Sequence, residues 1–124
     1  MHNSLEIALL TAEAAGEKKA FDTLILDLRG LAYVADFFVI CSGSNTTQVG
    51  AISDGIEHIL AQQRVRPSHI EGQAGSTWVL MDYGDVVVHI FDQHTRIYYS
   101  LEKLWHDAPR IPLPANGKVM ADHF

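Results

Sequence analysis

Apolar and polar positions along the chain divide it into helical and extended stretches. Leu5, Ala8, Leu9, Ala12 and Gly16 recur at helical spacing, so the pattern predicts a helix over 3–20, with Asn3 and Glu6 as a capping pair. The runs 22–28 (DTLILDL) and 37–42 (FFVICS) have the length and continuous apolar character of buried strands. A turn or short helical piece covers 31–36 between them. Asn45, with Gln48 three positions on, predicts the start of a long helix reaching about Gln63, whose apolar stripe is Val49, Ile52, Ile56, Ile59 and Leu60. Gly55 interrupts that helix, which points to close packing at this position. A short strand is expected over 66–71 and a helix over 93–105, carrying Ile97, Leu101, Leu104 and Trp105. Residues 109–124 hold three prolines and little periodicity and read as a tail.

The segments 78–82 (WVLMD) and 85–91 (DVVVHIF) flank Tyr83-Gly84, a hairpin signal. With Tyr83 and Gly84 as the loop, Asp82 faces Asp85, Leu80 faces Val87 and Trp78 faces His89, all on one side. Met81 with Val86 and Val79 with Val88 lie on the other side, which is wholly apolar and belongs in the core. The first side mixes an aromatic anchor with two like charges at the tip. Opposed like charges destabilise a hairpin unless solvent, a metal ion or a basic partner offsets them. A protein-binding patch has this composition. A blander alternative has Trp78 packing under the terminal helix while the Asp pair serves the turn.

Charge sharpens the first alternative. The 124 residues carry nine Lys and Arg against fifteen Asp and Glu, a net charge of -6, with 48% apolar and 19% charged residues. That is ordinary for one globular domain and too apolar for a disordered chain. Residues 67–95 contain no Lys or Arg but do contain Glu71, Asp82, Asp85 and Asp92, a local balance of -4. This acidity argues against tracking nucleic acid through a basic surface and favours a basic protein partner. The lone Cys41 rules out an internal disulfide and suits a reducing compartment. No signal peptide or membrane span is apparent, so a cytoplasmic location is expected.

Signals for enzymatic chemistry are sparse. Ser42-Gly43-Ser44-Asn45, between a strand and a helix, can present backbone N–H groups to a phosphate. Its Gly43-Ser44 start resembles the opening of nucleotidyltransferases, which keeps a nucleotide-binding or nucleotidyltransferase-type enzyme as the alternative function. Such enzymes need paired carboxylates on the next strand to hold two metals. The chain instead offers Asp54-Gly55-Ile56-Glu57 on a helix. Cys41 in an apolar strand reads as a small buried hydrophobe rather than a nucleophile. His89, Asp92 and His94 match no metal-ligand spacing. No catalytic residue, cofactor or metal is expected.

The series Asp27-Leu28-Arg29-Gly30-Leu31, Ala35-Asp36-Phe37-Phe38-Val39-Ile40, Ser42-Gly43-Ser44 and Glu71-Gly72 leads to two longer runs. These are 78–89 (WVLMDYGDVVVH) and 98–105 (YYSLEKLW). Together they resemble the ribosomal silencing factor family (RsfS, Iojap-like) over residues 4–108, leaving 109–124 as a Pro-containing C-terminal tail. The resemblance implies an α/β fold, a mixed sheet with helices on both faces, similar to nucleotidyltransferases but lacking their catalytic carboxylates. It also implies a non-enzymatic role. Members bind the large ribosomal subunit through its protein number fourteen, block subunit joining sterically, and lower translation when nutrients are scarce. Carried onto this chain, the partner-binding residues are Trp78, Leu80, Asp82, Tyr83, Asp85 and Tyr99, the last supplied by the resemblance. An exposed apolar patch of this kind also admits a homodimer of the free protein.

Overall fold

The computed structural model describes residues 2–113. Helix α1 (Ser4–Glu17) begins where the Asn3 side chain accepts the Glu6 N–H, as the capping pattern predicts. Strands β1 (Phe21–Asp27) and β2 (Phe37–Gly43) follow, β2 being buried along its whole length. Helix α2 (Thr46–Gln62) is capped by Asn45, whose side chain accepts from the Gln48 N–H. Then come β3 (His69–Glu71), β4 (Trp78–Asp82) and β5 (Val86–Asp92).

The five strands form one mixed sheet in the order β1-β2-β5-β4-β3. The central pair β2 and β5 is parallel, and the other neighbours are antiparallel. This is the α/β class expected from the sequence. Helices α1 and α2 seal one face of the sheet over Ile25, Phe37, Val39, Cys41, Met81, Val88 and Ile90. The opposite face carries Leu26, Phe38, Ile40, Val87 and Phe91, packed by Trp78, Leu80, Leu101 and Trp105. Cys41 is fully buried in the first layer, and loss of solvation pushes its thiol up to about 12, so it packs as a hydrophobe. At Gly55 an added Cβ would meet the aliphatic stem of Lys18 at 2.7 Å, which is the close packing the sequence pointed to.

Three expectations change. The single helix over 93–105 is two pieces, α3 (Gln93–Tyr99) and α4 (Leu101–Leu104), separated by Ser100 in the left-handed region (φ 48°, ψ 54°). The hairpin loop is Gly84-Asp85, not Tyr83-Gly84. Tyr83 N–H donates to Val86 O, and the strand register pairs Asp82 with Val87, Leu80 with His89 and Trp78 with Phe91. The physical reason is Gly84, whose φ of +87° suits the first central position of a tight hairpin turn. Finally, the tail is pinned where it begins. Pro109 O accepts from Asp27 N–H, Ile111 N–H donates to Ile25 O, and Arg110 bridges Leu26. These bonds occupy part of the outer edge of β1. The rest of the tail, 114–124, lies outside the described residues.

Candidate functional site: an aromatic face with an acidic tip

The corrected register decides which candidate residues share a face. Side chains alternate across a strand, so Trp78, Leu80 and Asp82 point to the side of Val87, His89 and Phe91. Tyr83 points the other way and packs against the layer under α1 and α2. Its hydroxyl is buried without a hydrogen-bond partner among the described residues, and burial, with Glu57 nearby, raises its pKa. Asp85 leaves the strand for the turn. It is exposed, and its carbonyl accepts from the N–H groups of Asp36 and Phe37. The directly opposed Asp pair therefore does not form.

Trp78 is the hub of the thinly covered face. Its ring lies 4.9 Å from Phe91, 4.8 Å from Tyr99 and 5.9 Å from His89, centroid to centroid. Pairs at these separations add attraction beyond the area they bury. The indole Nε1–H donates to Nδ1 of His89 at 3.1 Å. An indole N–H can only donate, so Nδ1 accepts and the imidazole carries its proton on Nε2. Burial lowers the His89 pKa to about 4, so the ring is neutral around pH 7. The ring also meets Phe38 edge-on at 4.6 Å. His89 thus orients the tryptophan from beneath, on the diagonal of the β4–β5 pair.

Asp82 serves the turn and the rim together. Its Oδ1 accepts the Gly84 N–H at 2.8 Å, and its Oδ2 lies 3.8 Å from Nδ1 of His69. Gly72 fixes the approach to β4. A Cβ there would lie 2.0 Å from the Trp78 carbonyl oxygen, and its φ is +87°. Only glycine lets the 72–78 loop pass so close to the strand that carries Trp78.

Sequence reasoning missed the exposed apolar side chains of α3 and α4. Tyr98 is 77% exposed, and Ile97 and Leu104 are each 70% exposed, beside the half-exposed Tyr99. A continuous helix would turn some of these side chains inward. The break at Ser100 ends that periodicity, and a serine in the left-handed region leaves no mark in the sequence. Phe91 was hidden only by the register and follows once Gly84 is placed in the turn.

The Gly43-Ser44 turn is occupied by its own chain. The Ser44 N–H donates to Gln48 Oε1 and the Gln48 N–H to Asn45 Oδ1, at 2.6 and 2.8 Å. These are capping bonds of α2. No group of three or more His, Cys, Asp or Glu among the described residues is placed to hold a metal ion. No helix among them is long and apolar enough to cross a membrane.

The fold defines an α/β module with one sheet face sealed by two long helices and the other thinly covered and aromatic. Residues 1–123 match the family described as "Ribosomal silencing factor during starvation", and the chain belongs to that family. A ribosomal silencing factor of Halalkalibacterium halodurans is 42% identical over 87% of this chain and 92% of its own length. The chloroplastic protein Iojap of Zea mays is 38% identical over 89% of this chain and 48% of its own length. A crystal structure of a Chromobacterium violaceum protein superposes with a TM-score of 0.83 at 32% identity, covering 92% of this chain and 93% of that one. The family match extends through the tail.

Proposed function

We propose that the chain is a translational repressor that binds the large ribosomal subunit through the face centred on Trp78. Trp78 and Leu80 supply desolvated contact area, with Tyr99 at the edge. Asp82 and Asp85 meet basic side chains of the subunit's protein number fourteen. Tyr83 supports the turn from the opposite side of the sheet. Docking at that protein obstructs the small subunit, so joining fails and translation falls when nutrients are scarce. The protein acts in the cytoplasm, has no catalytic role, and approaches the ribosome through protein rather than by reading RNA sequence. When free, it pairs with a second copy through the same face.

The observation that supports this reading best is the Trp78 cluster itself. A half-buried indole is held by His89, Phe91 and Tyr99 beside exposed apolar side chains and an acidic hairpin tip. Preordered aromatic anchors of this kind dominate protein–protein affinity, and rim charges steer the encounter. Co-sedimentation with separated subunits tests it. Binding to the large subunit alone is expected, as is its loss in a folded Trp78→Ala/Asp82→Lys variant. Binding to the small subunit only, or to neither, overturns the proposal.

A further inference from the structure

A second feature lies beyond the carboxyl ends of β2 and β5, the parallel pair at the centre of the sheet. A cavity of about 570 Å³ opens there between β1, the end of β2, α3, α4 and the strap around Arg110. In α/β sheets this is where ligands bind, in the crevice outside the carboxyl ends of the strands. Three of the chain's nine basic side chains, Arg96, Lys103 and Arg110, line it, in a protein whose net charge is -6. Asp22 and Glu102 also line it, so the wall keeps one net positive charge.

Arg96 is built in rather than draped over the surface. It is 8% exposed, its Nη1 donates to Ser42 Oγ and to the Asp22 carbonyl, and its Nε donates to Glu102 at 3.3 Å. Its Nη2 makes no hydrogen bond to a described residue. Neither Lys103 nor Arg110 forms an ion pair among the described residues. The cavity therefore holds one fixed guanidinium and two adjustable cations. The remaining wall includes the apolar side chains Leu24 and Ile97.

We propose that this cavity binds a 5′-mononucleotide. Its phosphate sits on Lys103, Arg110 and the open edge of Arg96, and its sugar and base lie against Leu24 and Ile97. Size favours a nucleotide over a bare anion, since pockets for whole small molecules span about 300–1,000 Å³. The mixed wall favours it as well, because inorganic phosphate would leave the apolar part uncovered. No bond is made or broken. The site is distinct from the Trp78 face and stands whether or not the docking reading does.

Chemical-shift titration of the full chain tests the proposal, with AMP, GMP, CMP and UMP as probes and inorganic phosphate and the matching nucleosides as controls. At least one mononucleotide is expected to saturate, with shifts at Arg96, Ile97 and Lys103. Its affinity should exceed that of phosphate or of its nucleoside by about tenfold or more, because charge-assisted and apolar contacts act together. The Lys103→Ala/Arg110→Ala variant alters exposed side chains only, keeps the fold, and should lose about tenfold or more of that affinity. The proposal is overturned by failure of all four nucleotides to saturate up to about 10 mM, ten times weaker than a 1 mM Kd. It is equally overturned if phosphate alone binds as tightly or if the folded double variant binds unchanged.

Discussion

The two faces of the sheet differ in what fills them. Under α1 and α2 the layer is mainly aliphatic, with Ile25, Val39, Ile52, Ile56, Val88 and Ile90 fully buried around a single phenylalanine, Phe37. Under α3 and α4 the layer is aromatic, holds the buried His89, and has the short, broken helices as its cover. The first face behaves as scaffold, because aliphatic packing has nothing to offer a partner once sealed. The second keeps its largest side chains half in and half out, as an interface requires.

Four substitutions or titrations break or sharpen that contrast. Ile56→Ala opens a cavity in the sealed layer and should cost about 2–5 kcal/mol of stability in denaturant unfolding. Ribosome binding per folded molecule should stay unchanged. Trp78→Ala should reverse the pattern, with about 2–4 kcal/mol lost from binding in a quantitative co-sedimentation series. It should also free the His89 Nδ1 and open that ring to solvent, so its pKa rises from about 4, observable by NMR.

Acid should act on the aromatic face through the same histidine. The unfolded chain protonates this imidazole near pH 6.5, whereas the folded chain resists until about pH 4. Between these values the unfolded state binds more protons, so stability falls as pH drops through the window and rises as pH is raised. Thermal unfolding from pH 7 to 4 should show this slope, and a His89→Phe variant should flatten it. The smallest effect is expected at Gly55→Ala. The helix gains about 1 kcal/mol from its better residue. The new methyl only has to displace the flexible Lys18 stem, so unfolding should move little.

Much of this architecture is legible in the sequence. Asn3 and Asn45 announce both long helices, continuous apolar runs mark β1 and β2, and the hairpin signal marks β4 and β5. What stayed hidden depended on backbone conformations that residue type suggests only weakly. Tyr83-Gly84-Asp85 accommodates two loop placements, and the positive φ of Gly84 selects the later one. That choice leaves Trp78, Leu80 and Asp82 on the face expected of them while sending Tyr83 to the opposite layer. Ser100 likewise breaks a helix that its neighbours' periodicity would continue. The cavity beside α3 and α4 has no counterpart in the sequence pattern, because its lining comes from segments as distant as Leu24, Arg96 and Arg110. Only tertiary folding brings them together.

The parallel pairing of β2 with β5 also bears on how the chain reaches its native state. Partners such as Phe37 and Val86 are separated by roughly fifty residues, whereas the β4–β5 hairpin closes around a two-residue loop. Local closure is fast and distant closure slow. The hairpin carrying Trp78 should therefore assemble early, with β2 docking late against an edge already formed. Substitutions in the turn at Gly84 would then slow refolding, while truncations along β2 would chiefly hasten unfolding. Stopped-flow chevrons of Gly84→Ala and Val39→Ala can separate the two behaviours.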